Sequence, residues 1–308
     1  MGVCHSVIRD IIAISIGVIE GDYLLSQEFT DKIDSMTKIL NGLELAGFIK
    51  ERQAKTVRAL RQAHGIAPKL AIIRTNPDPV VDRYMKLKRD YGMDILVDVD
   101  VHTIEQSEAI ERIAELNKDL TIHGIIVQIP LPDPVQTNDI LDAVSSEKDV
   151  DGLSAATVFD APTPMAINWL LAGYNIELRG KHIVIVGHGR LVGRPLAKLW
   201  QSSDLDIEIA DKSVENLAEV TRGADVLVTA TGVPGLIKPD MVKNDVVIVD
   251  AGVATDSNGL VGDVAVTVRE LSNITITPDK GGVGPLTVCG LFENVIRAAQ
   301  KAAERNEN

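Results

Sequence analysis

The chain has 308 residues, 45% of them hydrophobic and only 3% aromatic, which allows one large or two ordinary domains around a mainly aliphatic core. Its 31 Lys and Arg against 44 Asp and Glu give a net charge of −13, a balance that argues against a phosphate-backbone partner. Two cysteines, Cys4 and Cys289, with neither C-x-x-C nor zinc spacing point to a reducing, cytoplasmic setting.

The apolar stretch Ile11 to Ile19 is too short to cross a bilayer. A signal peptide or anchor would want a basic start and a small-residue cleavage site, whereas a single Arg9 precedes the run and Glu20-Gly21-Asp22 follow it, so an export role is the lesser expectation. Met36 opens a run that reads as a natural domain start, so residues 1–35 are expected to be an extension or a misplaced start. Residues 36–64 read as a short strand and an amphipathic helix, with Leu45, Phe48, Ile49 and Val57 at helical spacing. "KLAIIRT" (69–75) is a buried strand, and "NPDP" (76–79) breaks the chain into a loop. "VDRYMKLKRDYG" predicts a helix ending at Gly92, and "ILVDVDV" the next strand. A charged helix over "TIEQSEAIERIAELNKD" precedes a buried strand in "HGIIVQIPLP" (123–132), which prolines stop. Strands alternating with helices predict α/β layers on a parallel sheet.

A second α/β set follows "PTP" (162–164): a helix over 166–173, the strand "HIVIVG", a glycine loop, a helix through Trp200, and "IEIAD". A helix near Leu217, the strands "DVLVTATG", "VVIVDAG" and "ITITP", and a last helix with a polar tail complete it. The loop reads Gly187-His188-Gly189-Arg190-Leu191-Val192-Gly193-Arg194-Pro195. A strand turning tightly into a helix there lets backbone approach a phosphate, and the helix N-terminus offers free N–H groups. The last glycine comes one residue later than in G-x-G-x-x-G, and glycines also serve plain close packing. The context favours a dinucleotide, because Asp211 ends the following strand roughly 20 residues on, where an acid meets the ribose hydroxyls. Asp211 favours NAD, whereas Arg190 and Lys212 favour NADP, and the choice stays open.

"GIIVQIPLP", "EKDVDGL", "PTP", "GRLVGRP", "TATGVPG", "VVIVDAG", "VGDV" and "TPDKGGVGPLT" fall in order along the chain. Together they resemble the bifunctional methylenetetrahydrofolate dehydrogenase/cyclohydrolase (FolD) family over roughly residues 37–300. The family has the same late glycine, and its cofactor domain follows its substrate domain. The resemblance implies two α/β domains: a substrate domain over 36–160, completed by the C-terminal helix 281–308, and a Rossmann-type NAD(P)-binding domain with a parallel sheet over 161–280. It implies oxidation of methylenetetrahydrofolate with NAD or NADP, hydrolysis of the methenyl product to 10-formyltetrahydrofolate, a place in one-carbon metabolism and purine biosynthesis, and a homodimer. No nucleic acid, membrane or metal is expected as a partner.

In the folate site the resemblance implies Gln128 and Asp151, together with a Tyr-x-x-x-Lys pair. Ungapped counting puts Asp82 and Lys86 in the pair's slots, while a two-residue shift gives Tyr84 and Lys88. The second register is preferred: both residue types match, and i, i+4 spacing puts them on one helix face. Ending at Gly92, that helix falls about one turn short of the family's. The alternative for Lys86, Lys88 and Arg89 is a solvated basic face. Lys88 is the implied proton-transfer residue, Gln128 its orienting partner and Tyr84 a wall of the pterin pocket. Asp151 would accept from the pterin's N–H groups, the alternative being a turn-capping carboxylate. Gly281, Gly282 and Pro285 would close the substrate cleft. Gly187, His188, Gly189, Arg190, Gly193, Asp211, Lys212, Thr231, Gly232 and Val253 would hold the cofactor.

Departures from the family pattern are Asp279-Lys280 for Val-Pro, Pro162 for Cys and Gly189 for Ser. They raise two rival expectations: a dehydrogenase without the hydrolytic step, or a nucleotide-binding protein with a decayed folate site. His123, without a ligand-spaced partner, reads as packing or surface, and Cys289 as core.

Overall fold

The computed structural model describes residues 37–256 and 259–306. Residues 1–35, with the apolar stretch 11–19 and Cys4, and Met36 lie outside the described residues. The first half of the chain runs β1 (Lys38–Ile39), α1 (Gly42–His64), β2 (Lys69–Arg74), α2 (Pro79–Ile95), β3 (Asp98–Thr103), α3 (Ala109–Lys118), β4 (Gly124–Val127) and α4 (Thr137–Asp142). It continues with α5 (Pro162–Gly173), β5 (Ile183–Val186), α6 (Gly193–Gln201), β6 (Ile207–Ala210), α7 (Leu217–Gly223), β7 (Val226–Thr229) and β8 (Val247–Asp250). A hairpin of β9 (Ala254–Asp256) and β10 (Gly259–Val261), then β11 (Thr275–Ile276) and α8 (Val283–Asn306), complete it.

Two parallel sheets result. β3-β2-β4 form the first, and β1-β11-β8-β7-β5-β6 the second. Helices cover such sheets on both faces, so β4, β5 and β7 are buried at every residue and read as unbroken apolar runs. In the larger sheet the chain leaves β5 for β6 on one side and then returns to β7 on the other. That reversal opens a crevice at the strands' carboxyl ends, the usual place for a ligand in an open α/β sheet.

Two elements tie the sheets together. β1 lies early in the chain yet pairs with β11 at the edge of the larger sheet. α8 divides its apolar side: Val283, Leu286 and Cys289 pack with Ile185 and Val228, while Phe292, Val295 and Ala299 pack with Leu70 and Ile126. The final helix thus enters both cores rather than completing the first alone.

Several expected boundaries move. α2 passes through Gly92 to Ile95, so it is not cut short there. Leu96 takes the left-handed terminating position at φ 64, and Val97 N–H donates back to Gly92 O at 2.8 Å. Gly92 is an interior contact instead, since a Cβ there would lie 2.7 Å from a Val99 methyl. α3 begins at Ala109 after a short 3-10 turn, and α5 begins at Pro162. Prolines suit that first turn because its N–H groups have no partner within the helix. α1 buries Ala46, Gln53, Ala54, Val57 and Leu60, whereas Phe48 is exposed.

Candidate active site

α2 delivers two of the expected residues. Tyr84 and Lys88 are both partly buried, one turn apart on the same helix face. Lys88 Nζ donates to Gln128 Oε1 at 3.0 Å, and Gln128 Nε2 donates to Ile129 O at 3.1 Å. Gln128 follows directly on β4, whose parallel pairing with β2 brings the strand end beside the helix that β2 leads into. The ungapped candidates lie elsewhere: Lys86 is exposed and pairs with Asp90, and Asp82 pairs with Arg74.

Asp151 sits on a turn anchored by its neighbour. Asp149, buried, accepts from Ser154 N–H at 2.8 Å and from Ser154 Oγ at 2.7 Å, so the turn-capping carboxylate is Asp149. Gly152 follows at φ 67, where an added Cβ would meet Ala161 N at 2.9 Å. Asp151 lies close enough to Lys88 for each to act on the other's charge. Burial pushes the Lys88 amine below its ordinary range while Asp151 pulls it up. Burial likewise raises the Asp151 carboxyl; Lys88 opposes this and Asp149 adds to it. Both shifts favour the neutral forms, the state in which an amine can accept a proton. Burial also raises the Tyr84 hydroxyl, against a smaller effect of Arg83.

The segment Gly281–Pro285 is tied to the start of α1. Leu43 N–H donates to Gly281 O at 2.9 Å, and a Cβ on Gly42 would come 1.9 Å from Gly282 O. Gly281 adopts φ 85, while Asp279 and Lys280 beside it are exposed.

In the larger sheet the glycine loop joins β5 to α6. Gly187, at φ 98, has room for no Cβ: one would meet Ala230 O at 2.6 Å. A Cβ on Gly193 would come 1.9 Å from Gly187 O, so the late glycine is set by contact with the first. Gly189 faces open space and His188 is exposed. Arg190 is partly buried, and Lys212 is exposed. At the end of β6, Asp211 accepts from Ser213 N–H at 2.9 Å and Ser213 Oγ at 2.6 Å. Those bonds hold its carboxyl below the ordinary range, with a smaller effect of His188. Across the crevice, Gly232 adopts φ 71, and a Cβ added there would come 3.4 Å from Val253 O, so the loops after β7 and β8 lie side by side. A glycine cradle at a switch point, with an ionised acid at the next strand end, fits a dinucleotide.

The family model for the tetrahydrofolate dehydrogenase/cyclohydrolase catalytic domain matches residues 40–151, and that for its NAD(P)-binding domain matches 161–303. The bifunctional protein FolD of Lactobacillus acidophilus is 35% identical over 279 residues, covering 86% of this chain and 98% of the relative. The chain belongs to the tetrahydrofolate dehydrogenase/cyclohydrolase family. FolD of Thermus thermophilus is 36% identical over 275 residues, covering 85% of this chain and 96% of the relative. Among solved structures, the bifunctional FolD of Campylobacter jejuni superposes with a TM-score of 0.82 at 33% identity, covering 86% of this chain and 99% of that one. The Trypanosoma brucei FolD, complexed with NADP cofactor and inhibitor, gives 0.81 at 26%, covering 86% and 98%. These likenesses fix the fold class as α/β, with a catalytic and an NAD(P)-binding domain.

His123 is buried, its Nδ1 accepting from Lys69 N–H at 3.2 Å. Cys289 is buried in the core, where Tyr91 Oη donates to its Sγ at 3.2 Å. A cluster that sequence reading left without a role lies beside the crevice: Asp250, Asp263 and Arg269. "VVIVDAG" and "VGDV" mark its acids as motifs, but only the fold brings them together.

Proposed function

We propose that this chain oxidises 5,10-methylenetetrahydrofolate to the methenyl cation with NAD(P) and hydrolyses that cation to 10-formyltetrahydrofolate. The observation that carries the reading is the Lys88 amine, held 3.0 Å from the Gln128 amide oxygen and facing Asp151. A pocket that merely bound a folate would have no need of a desolvated amine.

Bound NAD(P) supplies the hydride acceptor. The glycine loop and Asp211 would hold it, and Thr231, Gly232 and Val253 would wall its nicotinamide end. Loss of hydride from the methylene carbon is assisted by the substrate's own nitrogen lone pair, so the protein's task is positioning. Tyr84 lines the pterin pocket, and Asp151 accepts from the pterin N–H groups. Gly281, Gly282 and Pro285 close the cleft. In the second step a water oxygen bonds to the methenyl carbon and gives one proton to the neutral Lys88 amine. The carbon's bond to N5 then breaks, and Lys88 returns its proton to that nitrogen. The water's other proton leaves to solvent, so a cation and water yield the formyl compound and one proton. Gln128 holds the amine in place through both transfers. The intact Lys88–Gln128 contact favours this over a dehydrogenase lacking hydrolysis.

The same reading assigns substrate binding mainly to 36–160 with α8 and cofactor binding to 161–280, in a cytoplasmic homodimer serving one-carbon metabolism and purine biosynthesis. Among the described residues no helix is long and apolar enough to cross a membrane. Purified protein given methylenetetrahydrofolate with NAD, then NADP, tests the assignment by reduced-cofactor and methenyl absorbance. Cofactor reduction followed by methenyl decay faster than the spontaneous rate is expected. No reduction with either cofactor refutes the dehydrogenase, and methenyl persistence refutes the hydrolase.

A further inference from the structure

Beside the crevice, the loops after β7 and β8 meet a buried ionic clasp. Asp250 ends β8 with its side chain 3% exposed. Its Oδ1 accepts from Thr229 Oγ1 at 3.1 Å, Gly252 N–H at 3.1 Å and Asp263 N–H at 3.0 Å. Its Oδ2 accepts from Val264 N–H at 3.1 Å and Arg269 Nη2 at 3.0 Å. The clasp therefore pins both ends of the segment that carries the β9–β10 hairpin. Asp263, 0% exposed, stands against it as a second carboxylate. Its Oδ2 accepts from Thr231 N–H at 2.6 Å. Burial raises this carboxyl and Asp250 adds to the effect, while bonds from Thr231 and Val233 oppose it. Gly252 lies under that carboxyl: an added Cβ would sit 2.1 Å from Oδ1.

Closing a hairpin base does not require this arrangement. A fully buried carboxyl next to a second carboxylate costs free energy that an apolar side chain would not. What Asp263 adds is local: it fixes the backbone N–H of Thr231 on one loop and the height of Gly252 on the other. Those two loops run close together: a Cβ added to Gly232 would come 3.4 Å from Val253 O. Sites that break a packing rule at such cost are commonly held for function.

We propose that Asp263 is a positioning residue for hydride transfer: it sets the facing loops Thr231–Gly232 and Gly252–Val253 that wall the nicotinamide end of the crevice. The proposal rests on the dehydrogenase reading above. The two reactions supply the control, because hydrolysis of the methenyl substrate uses no nicotinamide.

Variants D263A, D263N, G252A and the double variant G252A/D263A are assayed for both steps, hydrolysis being measured on methenyl substrate without NAD(P). In D263A, dehydrogenation should fall about 10- to 100-fold, mainly in kcat, while hydrolysis stays within about twofold, as a displacement confined to one reacting partner requires. D263N keeps an acceptor for Thr231 N–H and should recover part of the rate. G252A forces its methyl against the carboxyl and should lose dehydrogenation selectively. Adding it to D263A should cost little more, since the clashing group is gone. If D263A does not fold, D263N and G252A carry the test through the same selectivity. Parallel loss of both activities would mean a purely structural role and overturn the proposal, as would a D263A dehydrogenase rate at the wild-type level. A wild-type protein that reduces neither cofactor fails the dehydrogenase reading itself, a result visible before any variant is made.

Discussion

Two clusters of acid and base, one buried and one partly buried, lie at the carboxyl ends of parallel strands, and they are built on opposite terms. In the Asp250–Arg269 clasp every oxygen of Asp250 is engaged, and the partner guanidinium has a second anchor on Val264 O at 2.9 Å. In the cleft, the Lys88 amine meets a neutral amide oxygen at 3.0 Å rather than a carboxylate, with Asp151 acting through its charge. A carboxylate engaged at both oxygens fixes the backbone around it. An amine desolvated beside a neutral amide is poised to change its protonation state. Acid and base thus fix geometry in one place and, in the function proposed above, move a proton in the other.

The sharpest way to break that contrast is Lys88→Ala. Hydrolysis should fall about 100- to 10,000-fold, the usual reach of a general acid–base group, with NAD(P) binding retained by fluorescence titration. Unchanged hydrolysis would remove Lys88 from the chemistry. The mirror-image change is Asp250→Ala, which strands Arg269 and should lower stability by about 3–5 kcal/mol, read as an earlier urea midpoint. A midpoint unchanged from wild type would show that the clasp contributes nothing.

A pH series sharpens the comparison further. Burial lowers the Lys88 amine, so its neutral form appears at lower pH than for an ordinary lysine. The hydrolysis rate should therefore rise with pH through that lowered value, and the limb should vanish in Lys88→Ala. The same shift means that the unfolded chain binds more protons between the folded and ordinary lysine values. Across that window Lys88 makes stability rise with pH. A profile unaltered by the substitution would assign the limb to another group. The smallest effect is expected for Lys86→Ala, which removes only the exposed pair with Asp90 and should change stability by less than about 0.5 kcal/mol and leave both activities intact.

Much of the site is visible in the sequence because strand ends and glycine loops carry local signals. Gln128 follows an apolar run, Gly187 and Gly193 sit between strand and helix, and Asp211 closes the next strand. The choice between Lys86 and Lys88 is less legible, since both lie in one polar helical stretch and only the direction of burial separates them. Gly92 reads as a stop, yet it is a packing contact with Val99, and Leu96 takes the terminating conformation instead. Phe48 shares the spacing of an apolar face but points to solvent, because α1 buries Ala46, Gln53 and Ala54 on its true inner side.

Periodicity and turn chemistry act over a few residues, so the sequence by itself determined the alternation of strands and helices, the glycine cradle and the family. Tertiary structure alone decided which side chains share a space. Parallel pairing of β2 with β4 set Lys88 against Gln128, although 40 residues separate them. The return of the chain after β10 set Asp263 against Thr231 and Gly252. It also placed β1 in the distant sheet and split α8 between two cores. Such contacts depend on strand order and register, which are settled when buried faces compete for one another across the whole chain.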